Sequence, residues 1–136
     1  MVNLALSLAM KNNIIITASI FGILAVIAGA FGAHGLTGYL SPKQLDVWHT
    51  AVQYQFYHTF ALLFLSTFAQ SKNKLITASY YLFTFGIVFF SGSLYLLACR
   101  DILGWGWLIY MGPVTPVGGL LFILGWLMLL LAAFKK

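Results

Sequence analysis

Four long apolar stretches, separated by short polar breaks, dominate the chain: residues 14–33, 47–69, 75–98 and 117–134. Each is close to the ~20 residues that an α-helix needs to cross a lipid bilayer. The pattern therefore predicts an all-α fold, a transmembrane four-helix bundle that forms a single integral membrane domain over residues 1–136.

The composition excludes a water-facing surface for most of the chain. Hydrophobic residues make up 62% of the sequence and charged residues only 7%, whereas soluble domains carry roughly 25% charged residues. We therefore expect the lipid bilayer to be the main partner. The net charge of +5 does not indicate nucleic-acid binding, because the basic residues are single or paired and flank the apolar stretches. The lone Cys99 excludes an intramolecular disulfide.

The first apolar stretch allows two interpretations. It could belong to a secretory signal, but its run of about 18 apolar residues exceeds the ~7–15 typical of a signal peptide. We therefore expect an uncleaved first transmembrane helix. The ten residues before Lys11 are either a short interfacial helix or disordered.

The distribution of basic residues predicts the orientation. Four crossings place the amino terminus, the second break and the carboxyl terminus on one side of the membrane, with Lys11, Lys72, Lys74, Lys135 and Lys136. The other side holds Lys43 and Arg100, together with both acids, Asp46 and Asp101. Since positive charge is retained inside, both termini are expected to be cytoplasmic and the protein to lie in the cell (inner) membrane.

Two of the breaks carry further local signals. Ser41-Pro42 is typical of a helix start, with Ser as N-cap and Pro in the first turn. The third break, residues 100–116, contains Trp105, Trp107 and Tyr110. Because Trp and Tyr favour the headgroup level, we expect an aromatic interfacial or partly re-entrant segment before helix four.

Small residues recur at helical spacing and predict where helices touch. One ridge on helix one consists of Ala18, Gly22, Ala25, Gly29 and Gly32, and helix four carries Gly118 and Gly125. In lipid, close van der Waals contact between backbones is a main source of helix association. We therefore expect helix one at the centre of the bundle, and a homo-oligomer or larger membrane complex through any ridge left uncovered.

Polar residues within the apolar stretches define a candidate polar cavity: His34, Gln53, Gln55, His58, Ser91, Ser93, Tyr95 and Thr115. Polar side chains in a bilayer usually face the bundle interior. They act either as hydrogen-bonded contacts between helices or as a site that handles a ligand or proton. His49 lies about 180° around helix two from His58, so these two cannot bind one ion together.

Two of these features remain open between a structural and a functional interpretation. His34 is either part of a helix C-cap, with Gly35 left-handed, or lines an outer cavity with His49 or His58. The residues 112–119, with Pro113 and Pro116, either start helix four or offer free backbone groups to an ion or small polar ligand.

Several motifs together resemble one protein family. They are Gly-Ala-Phe-Gly-Ala-His-Gly-Leu at 29–36, Thr-Ala-Val-Gln-Tyr-Gln-Phe-Tyr-His at 50–58, Ser-Gly-Ser-Leu-Tyr at 91–95 and Gly-Pro-Val-Thr-Pro-Val-Gly-Gly at 112–119. In this order they resemble the domain of unknown function 423 family, the YgdD/YwdK-like small membrane proteins. The resemblance implies a small multi-pass protein of bacterial inner membranes. It implies no reaction and therefore no catalytic residues.

Function is then expected to be structural or accessory, through helix–helix contacts in the membrane. The alternative is small-molecule binding or passive transport, through a polar cavity lined by helices two and three and the Pro-rich turn. A cytochrome would need two His at matching depth on different helices, and His58 has no obvious partner. We expect no metal, no cofactor and no enzymatic activity, because both acids lie in loops and cannot complete a Ser–His–acid set.

Overall fold

All regular elements in the computed structural model are helical, over the residues that it describes, 2–69 and 73–134. The four long helices are α1 (Val2–Ala30), α2 (Pro42–Ser66), α3 (Lys74–Leu103) and α4 (Val114–Phe134). A π-helical turn, Phe31–Gly35, follows α1, and a 3₁₀ helix, Gly106–Met111, precedes α4. The all-α prediction is confirmed.

Three helical segments in the described ranges are long and apolar enough to cross a membrane: Ser7–Gly35, Lys74–Leu103 and Gly106–Phe134. At least ~17–20 residues are needed for such a crossing. α2 is also long enough, but it is the helix that carries the amide and imidazole side chains of residues 49–58. These groups lower the mean hydropathy of α2, and α2 is not one of the three segments.

The helices do not begin and end at the same residues as the apolar stretches. α1 begins at Val2 rather than at residue 14, so the first residues continue the helix. α2 begins at Pro42, as expected: the Ser41 hydroxyl accepts from the Gln44 N–H, and the Gln44 side chain accepts from the Ser41 N–H. α3 runs on to Leu103 and stops at Gly104, whose φ of 65° is left-handed.

The helices alternate in direction, so that each is antiparallel to the next. Thr17, at the middle of α1, shares a hydrogen bond of 2.9 Å with Tyr80. The Thr77 hydroxyl, near the start of α3, lies 3.7 Å from the sulfur of Met10 in the first half of α1. At the opposite end, Ser93 near the end of α3 shares one of 2.7 Å with Thr115, at the start of α4. The starts of α1 and α3 therefore lie at one end of the bundle and the start of α4 at the other.

Helix one lies at the edge of the bundle, so the expectation that it occupies the centre is wrong. Its ridge of small residues contacts only α2 closely: an added Cβ would lie 3.7 Å from Thr59 at Gly22 and 3.8 Å from Val52 at Gly29. Ala18 and Ala25 on the same ridge are buried. The faces of α1 turned away from this ridge are exposed, with Ile16, Ile20 and Ile23 among their large side chains.

α3 packs between α2 and α4, and its contact with α4 is an interlock of glycines and phenylalanines. A Cβ at Gly86 of α3 would lie 2.6 Å from the Phe122 ring of α4, and one at Gly125 of α4 would lie 2.6 Å from the Phe83 ring. At Gly118 the obstacle is the backbone: an added Cβ would lie 2.7 Å from the Cα of Phe90. The two helices approach each other most closely at this point.

The segment before α4 exposes aromatic side chains. In and beside the 3₁₀ helix, Trp107 and Tyr110 are exposed, and the ring of Trp105 stacks on that of Trp107 with centroids 6.1 Å apart. Leu108 is fully buried and fixes the segment against the bundle. Pro116 lies in the first turn of α4, where the N–H that it lacks would have no helical partner.

The Gly118 contact predicts a stability difference between two neighbouring glycines. Gly118→Ala should lower the free energy of unfolding by about 1–3 kcal/mol, because the Phe90 backbone cannot move aside without shifting α3. Gly119→Ala is the matched control, since its Cβ would meet only the Phe90 ring, at 3.8 Å. Unfolding in mixed micelles, followed by circular dichroism, measures both. Equal stabilities for the two variants would contradict the packing.

Candidate functional site

The candidate site lies on the face of α2 that is turned to the other helices. Gln55 and His58 are both buried there, with 4% and 5% of their surface exposed. Gln53, two residues from Gln55, is exposed, because successive helical residues are ~100° apart and residues 53 and 55 point in nearly opposite directions. The structure therefore does not bring Gln53 to the predicted cavity.

The Gln55 amide joins three helices. Its Nε2 donates to the backbone oxygen of Phe21 on α1, at 2.8 Å, and its Oε1 accepts from the Tyr95 hydroxyl on α3, at 2.8 Å. Both functional ends of the amide are thus used inside the protein. Tyr95 also packs its ring on Trp48, with centroids 4.6 Å apart.

His58 lies between two hydrogen-bond partners that define its protonation pattern. Its Nδ1 lies 2.8 Å from the backbone oxygen of Tyr54, which can only accept. The Trp126 indole N–H, which can only donate, lies 3.3 Å from Nε2. The arrangement therefore fits a neutral imidazole with its proton on Nδ1. The ring stacks on Phe122 of α4, with centroids 3.5 Å apart and planes 8° apart.

The hydroxyl groups of α3 are also bonded within the bundle. Ser91 donates to the backbone oxygen of Ala51 on α2, at 2.8 Å, and is almost fully buried. Ser93 pairs with Thr115 of α4. Across the described residues, no buried side-chain nitrogen or oxygen lacks a hydrogen-bond partner. These groups therefore connect helices, and their hydroxyl groups have partners within the bundle.

His34 lies apart from this interior, and the expected C-cap at Gly35 is wrong. Gly35 is not left-handed; Gly104 is the one positive-φ residue within the described ranges. α1 instead ends in the π-helical turn, in which the Leu36 N–H donates to the Phe31 oxygen. His34 is exposed on this turn. His49 is exposed too, so neither lines a cavity with the buried His58.

Several contacts that hold the site were not predicted from the sequence. The Trp48 indole donates to the Ala28 oxygen of α1, at 2.8 Å, and the Trp48 ring fills the space beside Gly32. Ser79 of α3 donates to the Gly125 oxygen, at 2.9 Å. For these contacts the sequence offers one signal, a hydrogen-bond donor on one helix and a small residue on another. Which donor meets which small residue depends on the depth at which the two helices pack, and the sequence does not give that depth.

A cavity of about 400 Å³ opens sideways between α1 and α3, with α2 as its floor. Of the predicted polar residues, only Gln55 and Tyr95 line it, together with Trp48 and Gly92. The remaining walls are apolar. Within the described part of the chain, no three His, Cys, Asp or Glu residues are grouped as a metal ion would require.

The long apolar helices, the hydrogen-bonded polar interior and the large apolar side chains exposed on the outer faces define a helical integral membrane protein. Comparison with known proteins agrees: a family described as "Protein of unknown function (DUF423)" matches residues 28–119. The chain belongs to this family, as its motifs suggested.

The chain is similar over most of its length to bacterial proteins named as membrane proteins. It is 44% identical over 124 residues to the UPF0382 membrane protein YwdK of Bacillus subtilis, and the matched region covers 89% of this chain and 95% of the relative. It is 44% identical over 121 residues to one from Staphylococcus haemolyticus (89% and 94%) and 38% identical over 129 residues to one from Haemophilus influenzae (93% and 98%). No solved structure matches the chain.

The Tyr95–Gln55 contact predicts a measurable loss of stability. Tyr95→Phe should lower the free energy of unfolding by about 0.6–1.7 kcal/mol, because the buried Gln55 oxygen loses its donor. Tyr39→Phe is the control, since Tyr39 is 75% exposed. Unfolding in mixed micelles compares the two. A Tyr95→Phe protein as stable as the wild type would show that the bond contributes nothing.

Proposed function

We propose that this protein is a four-crossing membrane protein with a structural or accessory role, acting through helix–helix contacts and catalysing no reaction of its own. The observation that carries the proposal is the state of its interior polar groups. Gln55, His58 and Ser91 are all bonded to neighbouring helices or to backbone oxygens. Groups used in this way stabilise a bundle and are not available to a substrate.

The placement of the acids supports the absence of catalysis. The expectation that both acids lie in loops is wrong, because Asp46 belongs to α2 and Asp101 to the last turn of α3; both are nevertheless exposed. Asp101 accepts from Gln44 at 2.6 Å and lies 3.4 Å from Arg100. Neither is among the hydrogen-bond partners of His58, which are Tyr54 and Trp126. A proton relay or an acid–base pair would need a carboxylate beside the imidazole.

The packing of α2 supports a fourth crossing. α1 contacts α2 from Gly22 to Gly32, and α3 bonds to it through Ser91 and Tyr95. α2 therefore lies along two helices that are each long and apolar enough to span a bilayer. In this proposal α2 lies at the same depth as its neighbours, with the buried Gln55 and His58 turned towards them.

The charges at the two ends support an inside amino terminus. Lys11 and Lys74 belong to the end where α1 and α3 begin, whereas Lys43 and Arg100 lie at the other end with both acids. Lys72, Lys135 and Lys136, which contribute most to the predicted bias, lie outside the described residues. Their place in the sequence, between α2 and α3 and after α4, favours the same side. This distribution supports the proposal that both termini are cytoplasmic and that the protein lies in the cell (inner) membrane.

Topology mapping tests the fourth crossing directly. Four crossings put both termini on one side, whereas three, with α2 on the surface, put them on opposite sides. We expect reporter fusions at both termini to be cytoplasmic. In a Cys99→Ser background, Gly38→Cys should react with an impermeant maleimide from outside, and Lys74→Cys only after the membrane is opened. Fusions reporting opposite sides would overturn the four-crossing proposal.

A second candidate, small-molecule binding, is favoured by the cavity between α1 and α3. Its volume of about 400 Å³ lies within the range of ligand pockets. The Tyr95 hydroxyl and the Gln55 amide lie at its inner wall. Against this candidate, their bonds to each other and to Phe21 occupy the polar groups that would orient a ligand.

Filling the cavity distinguishes the two candidates. A Cβ added at Gly92 meets nothing within 4 Å, so Gly92→Leu should enter the cavity without disturbing the bundle, and Gly92→Ala is the unfilled control. Native mass spectrometry of protein purified from membranes should show each of the three proteins at the mass of its own sequence, with lipid and protein partners only. A small-molecule adduct present in the wild type and the Gly92→Ala protein, and lost in Gly92→Leu, would favour binding instead.

A further inference from the structure

The outward face of α2 carries a polar group at its centre. Gln53, Tyr57, Phe60 and Phe64 are all exposed and recur at intervals of four, three and four residues, which places them in one stripe. This stripe, here called the outer α2 stripe, lies opposite the buried Gln55. The spacing is that of a helix–helix seam. The stripe carries no charged residue.

Gln53 is the exception in an otherwise aromatic surface. The structure shows no hydrogen bond from its amide to any residue in the described ranges, whereas Gln55 on the other face uses both ends of its amide. Gln53 lies one residue from the middle of α2, which runs from Pro42 to Ser66 and is ~37 Å long at 1.5 Å per residue. The apolar stretch of α2 begins at residue 47, so in a spanning α2 this amide lies ~9 Å inside the hydrocarbon, where no water can satisfy it.

We propose that the outer α2 stripe is a dimer interface with a second copy of this chain, in which the two Gln53 side chains bond to each other. The inference rests on the proposed crossing of the membrane by α2. Two copies inserted in the same orientation are related by a two-fold axis along the membrane normal, so equivalent residues meet at the same depth. A primary amide both donates and accepts, and a pair of Gln53 amides therefore satisfies itself without another partner.

The aromatic residues of the stripe suit such a contact. Tyr57, Phe60 and Phe64 lie on the same side of α2 at increasing distance from Gln53 along the helix and are each more than half exposed. The Phe60 ring also stacks on Phe56, with centroids 5.9 Å apart, and is therefore held in place before any partner arrives. A second stripe would pack ring against ring on one side of the amide pair.

Disulfide trapping in native membranes tests the dimer. In a Cys99→Ser background, Gln53→Cys, Tyr57→Cys and Phe60→Cys should form disulfide-linked dimers on mild oxidation. Ile23→Cys is the matched control: Ile23 is 61% exposed, as Phe60 is, but lies on α1 away from the stripe. An impermeant maleimide applied from both sides reports whether position 53 is reached by water.

Each outcome decides a different part of the proposal. Dimers at positions 53, 57 and 60 without dimers at 23 support the interface. Absence of dimers, with position 53 shielded from maleimide, overturns the dimer and leaves the fourth crossing standing. Labelling of position 53 by maleimide overturns both. A disulfide from position 53 to a different protein would show that the stripe binds another partner and would overturn the homodimer.

The amide itself is tested by substitution. In liposomes, energy transfer between labelled copies should show that Gln53→Leu weakens dimerisation about 3- to 20-fold. The Leu side chain is stable in contact with lipid and forms no hydrogen bond to the second copy. Gln53→Asn keeps a primary amide and should retain most of the affinity. Dimerisation unchanged in Gln53→Leu, with the topology intact, would show that the amide does not hold the copies together.

Discussion

Hydrocarbon offers no hydrogen-bond partner, and this constraint governs the arrangement of the helices in this protein. α2 carries Gln55 and His58, whose side chains would be unstable facing lipid. Gln55 bonds to α1 and α3, and His58 bonds to the Tyr54 oxygen of its own helix and to Trp126 of α4. Because these bonds join α2 to every other helix, the polar residues of a single helix determine which elements must be its neighbours.

Close approach of backbones is the second condition, because these hydrogen bonds are short and need helices at fixed distances. Ser79 can reach the Gly125 oxygen only because Gly125 leaves room for the Phe83 ring and lets α4 come near. Gly118 does the same against the backbone of Phe90. Small residues and polar donors therefore act together, the first setting the distance between helices and the second using it.

The sequence predicted the helices well and their arrangement less well, for a physical reason. Apolar length and the Ser41-Pro42 start depend on local chemistry, and both agree with the structure. Neighbour relations depend on which faces meet. The small-residue ridge of α1 indicated a contact surface, but one ridge serves one neighbour, and α1 lies at the edge. The residue types alone predicted that polar side chains lie within the membrane-spanning part, but the direction in which each side chain points could not be predicted from type. Gln53 and Gln55 are chemically identical and two positions apart, yet only Gln55 is buried.

The low hydropathy of α2 follows from the same arrangement. Hydropathy averages a helix over all of its faces, but lipid contacts only the outer ones. On α2 the buried Gln55 and His58 lower the average without facing outward, whereas His49 and Gln53 lower it from the exposed side, beside Tyr57, Phe60 and Phe64. α2, whose composition is least suited to a membrane, is the helix whose side chains form hydrogen bonds with all three of the other long helices. For a polar interior helix of this kind, the relevant quantity is the polarity of the face left uncovered, and on α2 that face carries one unsatisfied amide.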